Sequence, residues 1–283
     1  MRDRVRPNDF VETDRPINRR AQCWDLLRHR FLDLLKISFL YAIFLMPLFV
    51  SIVIFWPLLR NAAASGDINQ IATVFVIQGA SLLISIPVAF IGLTGSYRCL
   101  KQLVFAEDGF ASSSFFYGLK DGWKQGFIIG LLPGLSATLA FVGGFFLYVK
   151  MGPIDKWVTG FGLAILAIQF IVVLIISYYS ISQTQIYDNK IRFVLKNSFI
   201  FSLIKSPSNL LIFILYPGIF IACISIFEIS MFVGLVLTFF FSAFGHLFWI
   251  LNTVEAFDRF INKENHPEIY RRGLQNIDLS KEE

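Results

Sequence analysis

Three histidines and a few carboxylates carry the most obvious chemical potential of this 283-residue chain. The histidines are too far apart in sequence for the local spacing of a metal site: His29, His246 and His266. The carboxylates of Asp33, Glu255 and Asp258 border apolar segments, where pairing with nearby Arg259 and Lys263 explains them better than catalysis. The chain also lacks zinc-protease, nucleophile-elbow, P-loop and dinucleotide-binding motifs, so we expect no enzyme activity.

The cysteines predict no special chemistry either. They are Cys23, Cys99 and Cys223, an odd number without a C-x-x-C pair. A disulfide framework and a zinc site are therefore not expected. Together with the scattered histidines, this leaves no predicted cofactor or metal.

One polar side chain deep in an apolar segment is the best candidate for function. His246 follows Gly234, Thr238 and Ser242 at four-residue steps, which predicts that its imidazole faces small residues in the bundle interior. An ionisable group inside a membrane is a candidate functional site, although a neutral imidazole can also serve only as a hydrogen-bond partner. Two more polar residues lie inside apolar segments and are expected to bond between helices: Gln78 and Gln169.

Composition explains why these segments are so apolar. Hydrophobic residues make up 55% of the chain, charged residues only 16%, and 32 residues are Phe. Soluble domains carry roughly 25% charged residues. The composition thus excludes a disordered chain, a disulfide scaffold and a nucleic-acid-binding domain, and it predicts a polytopic membrane protein whose first partner is the lipid bilayer.

Six membrane spans fit the hydropathy pattern, since about 20 apolar residues cross a bilayer. They are predicted at 34–59, 70–97, 126–149, 158–181, 208–229 and 231–253. The last two follow from an apolar run that holds a single charge, Glu228, and that is long enough to cross twice with a turn near Glu228–Ser230. The predicted fold is an all-α bundle with a tail at 1–33, a membrane domain at 34–253 and a second tail at 254–283.

The basic residues predict the orientation of the bundle. With the N-terminus inside, 22 of the 25 Lys and Arg residues fall on the cytoplasmic side, and only Arg60, Lys150 and Lys156 fall outside. Cytoplasmic loops of membrane proteins are enriched in Lys and Arg. Both termini are therefore expected in the cytoplasm.

Three basic segments also show helical spacing of apolar residues: 24–36, 112–124 and 190–205. This pattern predicts amphipathic helices at the membrane interface. Each segment leads into a span with a proline that should kink or loosen it, namely Pro47, Pro133 or Pro217. The unit occurs three times, which is consistent either with a threefold repeat or with ordinary basic connections between helices.

A glycine stripe predicts close helix packing. Its members recur every four residues: Gly118, Gly122, Gly126, Gly130 and Gly134. Such small-residue steps allow helix backbones to approach closely in lipid. Because a four-residue step turns a helix by about 40° more than a full turn, we expect the stripe to serve two partners, or to cross a bend.

Several segments resemble the YesL-like family of bacterial integral membrane proteins. Region 87–132 has its span ending in small residues, its acidic-glycine turn and its aromatic-basic helix, here carried by Gly92, Glu107, Gly109, Phe115, Phe116, Lys120, Lys124, Gln125 and Gly126. The regions 187–213 and 266–274 are also similar to that family. The resemblance implies a plasma-membrane protein of a family without an established activity, often encoded beside carbohydrate ABC transporters.

Two functions fit these features. The first is a non-enzymatic protein that assists or regulates carbohydrate uptake through a membrane partner, either a transporter or another copy of the chain. The alternative is a small-solute or lipid transporter, which would use proline-broken spans and interior polar residues. A transporter predicts a polar, water-accessible cavity near the bilayer centre, whereas an accessory protein predicts a closed bundle.

Overall fold

The computed structural model describes residues 15–107, 109–151, 155–218 and 228–275, and in these ranges it is helical and contains no strand. The helices are α1 Arg19–His29, α2 Phe31–Ser65, α3 Ile68–Val104, α4 Ala111–Thr138, α5 Gly144–Met151, α6 Lys156–Ile186, α7 Ile191–Ile204, α8 Ser206–Phe213 and α9 Glu228–Phe257. Three π-helical segments continue α4, α8 and α9: Leu139–Gly143, Ile214–Gly218 and Asp258–Asn262. The predicted all-α class is confirmed.

Five helical stretches are long and apolar enough to cross a bilayer: Phe31–Ser65, Ile68–Val104, Ala111–Met151, Lys156–Ile186 and Val236–Asn265. A sixth results if the pair α7 and α8, bent by 90° at Lys205, counts as one span. The chain is therefore a multi-pass membrane protein. The predicted fifth span at 208–229 falls partly on residues 219–227, which lie outside the described ranges. Glu228–Ser230, near which a turn was predicted, are the first residues of α9, and the residues directly before them lie outside the described ranges.

Several helices are longer than a bilayer requires, and one of them includes a segment that was predicted to be a separate interfacial helix. α3 has 37 residues, which is roughly 55 Å at 1.5 Å per residue. The segment 112–124 is not a separate interfacial helix but the first part of α4, which runs unbroken from Ala111 to Thr138. Each of the helices α3 and α4 is longer than the hydrocarbon core of a bilayer is thick. The end of the bundle at which α3 ends and α4 begins therefore extends beyond the apolar layer.

The other two amphipathic segments differ from each other. Segment 24–36 is divided at Arg30, where α1 ends and α2 begins. Segment 190–205 does form its own helix, α7, which exposes Phe193 and Phe199 and buries Val194 and Phe201. The three segments thus have three different arrangements, and the described residues do not share the geometry of a threefold repeat.

The glycine stripe joins α4 to α3 at very short range. A Cβ atom added at Gly126 would lie 2.7 Å from the Thr94 side chain and 2.9 Å from the Phe90 carbonyl oxygen. One added at Gly130 would lie 2.7 Å from Phe90 and from the Pro87 backbone. Only glycine at these positions allows the two backbones to come this close.

The stripe has one main partner, α3, where two partners or a bend were expected; Gly122 also lies beside Gln185 of α6. From Gly118, beside Arg98, to Gly134, beside Leu83, every glycine of the stripe contacts α3. A row of four-residue steps is inclined by about 26° to its helix axis, so an obliquely crossing partner can follow it throughout. The stripe therefore builds the interior of the bundle and is not a free surface for another protein.

The prolines lie within helices and do not divide them. Pro47 lies inside α2 and Pro133 inside α4. The π-helical segment Leu139–Gly143 follows Pro133 by two turns, and Pro217 belongs to the segment Ile214–Gly218. At Leu139–Gly143 the change in helical pitch, rather than a sharp break, accommodates the irregularity. Residues 219–227, directly after the segment of Pro217, lie outside the described ranges.

The chain order of the helices collects charge at one end of the bundle. Here α3 ends, α4 begins and α7 lies, and this end, which we call the basic end, holds all described Lys and Arg residues except three. The exceptions are Arg60, Lys150 and Lys156, at the termini of α2, α5 and α6.

Candidate functional site

The most enclosed polar site of the described structure surrounds His246 on α9. The imidazole is fully buried, at 0% exposure. Four tyrosine rings surround it, with centroids 4.8 Å (Tyr41), 5.8 Å (Tyr97), 6.1 Å (Tyr178) and 5.4 Å (Tyr216) from the imidazole centroid. They come from α2, α3, α6 and the π-helical segment after α8. We call these five residues the histidine–tyrosine cluster.

A glycine beside the histidine permits the contact with Tyr216. A Cβ atom at Gly245 would come within 2.1 Å of the Tyr216 ring, so Tyr216 packs directly on the α9 backbone. This places the Tyr216 hydroxyl 3.3 Å from His246 Nε2. The π-helical turn that holds Tyr216 sets its ring between α8 and α9, and such turns are frequent at functional sites.

Hydrogen-bonding atoms in the cluster and beside it on α9 have no partners in the described part of the chain. Nδ1 of His246, the hydroxyl of Ser242 and the indole nitrogen of Trp249 are buried and make no hydrogen bond within the described residues. Trp249 stacks on Tyr178 with centroids 5.0 Å apart and planes 7° apart. Buried polar atoms are normally satisfied, so these three atoms are exceptions within the described residues.

The predicted small-residue stripe before His246 offers few hydrogen-bonding groups to neighbouring helices. The Thr238 hydroxyl donates to the Gly234 carbonyl of its own helix at 2.7 Å, which removes it from any interhelical role. Ser242 is fully buried one turn before His246. The stripe therefore supplies space around the imidazole more than it supplies hydrogen bonds.

A second polar group lies further along α9, around Asn252, and joins four helices. The amide of Asn252 donates to the Tyr179 hydroxyl at 3.1 Å and to the Asn209 side-chain oxygen at 2.9 Å. Tyr179 also donates to Asn209 at 2.9 Å, and Asn209 donates to the Ser202 carbonyl at 3.0 Å. Because Asn209 lies just after the 90° bend at Lys205, this network holds α7 and α8 in their bent arrangement.

A third polar group connects the two termini of the described chain at the basic end. Arg19 on α1 pairs with Asp258 at 2.7 Å, and Asp258 accepts a hydrogen bond from Asn262 at 2.7 Å. Gln22 donates to the Val104 carbonyl at 2.6 Å and to the Gly273 carbonyl at 3.3 Å. These contacts, which we call the terminal latch, hold α1 against the end of α3 and the segment after α9.

Burial shapes the electrostatics of the latch. Desolvation lowers the pKa of the Arg19 guanidinium, and the neighbouring Asp258 carboxylate acts in the opposite direction. The hydroxyl of Tyr187 bonds to Asn262, and burial raises the pKa of Tyr187. Burial also raises the pKa of the nearby Cys23 thiol to about 11, so it stays protonated at neutral pH. Cys99 is buried too, and Cys223 lies outside the described residues.

The remaining polar candidates lie apart from the cluster. Gln78 is buried and donates to the Ser51 hydroxyl of α2 at 3.3 Å. Gln169 is half-buried on α6, and its buried side-chain oxygen has no hydrogen-bond partner among the described residues, contrary to the expected interhelical bond. Nothing in the described structure brings Gln78, Gln169 and His246 into contact.

The carboxylates also pair differently from what their sequence neighbours suggested. Asp258 pairs with Arg19, and Glu255 pairs with Lys205 at 3.0 Å, rather than either one with Arg259 or Lys263. Asp33 pairs within its own helix turn, with Arg30 at 3.4 Å and Lys36 at 3.8 Å. No group of three His, Cys, Asp or Glu side chains in the described ranges is placed to hold a metal ion.

Sequence reasoning missed most of the residues that build these sites. The four tyrosines of the cluster and the pair Asn209 and Asn252 were not singled out. An available signal was the occurrence of Asn inside apolar segments, where it must find a hydrogen-bond partner. Tyrosines give a weaker signal, since they are also common where spans meet the headgroups.

Two of the clefts on the surface of the described structure are of interest. One, of about 400 Å³, lies between α2 and α3 and is mostly apolar, with Ser51, Gln78 and Ser81 as its polar lining. The other, of about 630 Å³, lies at the basic end between α4 and the start of α7. Neither cleft is lined by a residue of the histidine–tyrosine cluster.

Comparison with known proteins adds no relative: no protein-family model, curated protein or solved structure matches this chain.

Proposed function

We propose that the protein is a non-enzymatic component of the bacterial plasma membrane that works through a membrane partner rather than as a conduit. The observation that carries the proposal is the closure of the core around His246. A solute pathway needs polar groups that water can reach near the bilayer centre. Here the central imidazole is fully buried among four tyrosines, and both clefts lie away from it.

The proposed partner is a carbohydrate transporter of the ABC class, or a sensor that acts with one. This choice rests on the YesL-like resemblance of regions 87–132, 187–213 and 266–274. The glycine stripe is not available to a partner because α3 covers it, whereas the exposed side of α7 is one surface that is available. That side includes Phe193, Phe199 and Leu203. A second copy of the chain is the other partner that this surface fits.

The proposed orientation places both termini in the cytoplasm. The concentration of Lys and Arg at the basic end supports it, because this end is then the inner one. Cysteines introduced singly at Ser113 and Asn189 of a cysteine-free variant test the orientation. We expect an impermeant thiol reagent to leave both unlabelled in intact cells, and labelling of either from outside would contradict it.

Copurification tests the partner proposal. The tagged protein is extracted in mild detergent, and the proteins recovered with it are identified by mass spectrometry against another tagged multi-pass protein. We expect specific enrichment of a membrane transporter or of a second copy of the chain. Recovery of neither, from cells grown on several carbohydrates, would contradict the proposal.

One observation favours the alternative of a transporter. His246 keeps an unpartnered Nδ1 atom beside a π-helical turn, as expected for a group that exchanges a hydrogen bond with a ligand or a proton. His246→Gln separates the two functions, since an amide hydrogen-bonds but does not titrate near neutral pH. A well-folded His246→Gln protein that loses solute uptake in proteoliposomes would favour transport, whereas retained function supports a structural histidine.

A further inference from the structure

We propose that the cleft between α4 and the start of α7 is a binding site for the headgroup of an anionic phospholipid. Seven residues line this cleft of about 630 Å³: Lys124, Gln125, Ile128, Asp188, Asn189, Lys190 and Ile191. The inference goes beyond the proposed function and does not depend on the partner named there.

The charges of the cleft suit a phosphate group. Lys124 comes from α4 and Lys190 from the loop before α7, so two amines approach from different elements. Both are exposed, and within the described structure neither makes an ion pair. The amide of Gln125 offers a further donor for phosphate oxygens.

The same cleft contains groups that would contact the rest of a headgroup. Asp188 brings one negative charge, so the cleft keeps a net charge of one positive unit, which matches a headgroup with one negative charge. The oxygens of Asp188 and Asn189 can accept hydrogen bonds from headgroup hydroxyls. Phosphatidylglycerol has both the phosphate and the hydroxyls that this set of side chains requires.

The position of the cleft corresponds to the headgroup layer. α7 exposes apolar side chains among its cations and is bent by 90° from α8, which is the arrangement of a helix lying along the interface. Trp123 is 48% exposed, and the amine of Lys124 lies 5.7 Å from its ring centroid, as in the aromatic belt of membrane proteins. Ile128, one turn further along α4, is 48% exposed and continues the cleft with an apolar surface for an acyl chain.

Lipid retention measured by native mass spectrometry tests the site. The full-length protein is released from nanodiscs that contain phosphatidylglycerol, phosphatidylethanolamine and phosphatidylcholine in equal amounts. We expect preferential retention of phosphatidylglycerol. Lys124→Gln combined with Lys190→Gln should lower the retained amount about tenfold, because each cation near an anionic surface contributes to lipid attraction. Equal retention of the three lipids by the unmodified protein would overturn the proposal.

Matched variants separate a site from general attraction. Arg192→Gln combined with Lys196→Gln removes two cations from the same helix, outside the cleft, and should leave retention nearly unchanged. Lys124→Arg combined with Lys190→Arg keeps the charge and should keep the lipid. An equal loss from the control pair would reduce the effect to non-specific electrostatics and contradict the site.

Free anions provide the last comparison. Inorganic phosphate or glycerol phosphate at millimolar concentration should not displace the lipid, since neither contacts Ile128. Displacement by either would show a site for a soluble anion instead. The thermal unfolding midpoint of each variant in detergent verifies that the exposed substitutions leave the fold intact.

Discussion

The guanidinium of Arg19 and the carboxylate of Asp258 lie 2.7 Å apart although 239 positions separate them, and they join α1 to the end of α9. Asp258→Asn leaves the buried Arg19 without its counter-charge and should destabilise the protein by about 3–5 kcal/mol. Unfolding in mixed detergent micelles measures this loss. Glu255→Gln is the control, because its half-exposed pair with Lys205 should contribute only about 0–1 kcal/mol. Equal losses from the two substitutions would contradict a special role for the latch.

The glycine stripe allows a prediction with a built-in control. Gly126→Ala places a methyl group 2.7 Å from the Thr94 side chain, so it should force α3 and α4 apart and cost about 1–3 kcal/mol. Gly160→Ala, in α6, meets nothing within 4 Å and should stabilise by up to about 1 kcal/mol through helix propensity. Thermal unfolding in detergent compares them, and a Gly126→Ala protein as stable as the unmodified chain would disprove the close packing.

The contact of Tyr216 with His246 can be measured as a coupling energy. Tyr216→Phe removes a hydroxyl 3.3 Å from His246 Nε2 and should cost about 1 kcal/mol. In a His246→Phe background the same change should cost less, because its contact with the imidazole nitrogen is already absent. A double-mutant cycle of unfolding free energies gives the difference directly. Additive effects would mean that the two side chains only pack.

Near the end of the described chain, the position of Gly273 requires glycine both for its backbone conformation and for the space around it. Gly273 has φ +82°, and a Cβ atom there would lie 2.1 Å from the Val104 carbonyl oxygen. Gly66 has φ +70° but open space around it. Gly66→Ala should therefore cost only the conformational strain, about 1–2 kcal/mol, whereas Gly273→Ala should also detach the segment after α9. Limited proteolysis of the C-terminal region should accelerate in Gly273→Ala alone, and equal protection in both variants would contradict the clash.

Much of the membrane bundle was predictable because bilayer thickness imposes long apolar runs. The continuity of α4 was not, since Gly118 and Gly122 look unfavourable for a helix until α3 covers them. The terminal latch was not predictable either. Local spacing pointed Asp258 toward Arg259, but the three-dimensional path of the chain brings Arg19 to it.

The histidine–tyrosine cluster was predictable from the sequence only in part. The stripe before His246 indicated which face of α9 is interior, because helical spacing determines a face. Which rings would meet that face depends on the axial position of four other elements relative to α9. Tyr41 and Tyr178 reach the same depth only because α2 and α6 are displaced along their axes by the amounts that packing selects, and periodicity carries no information on such displacements.

The latch also has a consequence for how the protein is made. Arg19 leaves the ribosome long before Asp258 is synthesised. The guanidinium of Arg19 therefore stays hydrated until α9 has been inserted. Gln22 can bond to the Val104 carbonyl before that point, but its bond to the Gly273 carbonyl and the Arg19–Asp258 pair form only when the C-terminal segment is present. Premature termination before Asp258 would thus leave a loose N-terminal helix exposed to proteases. Synthesis of the segment after α9 is thus required to protect α1 from proteases.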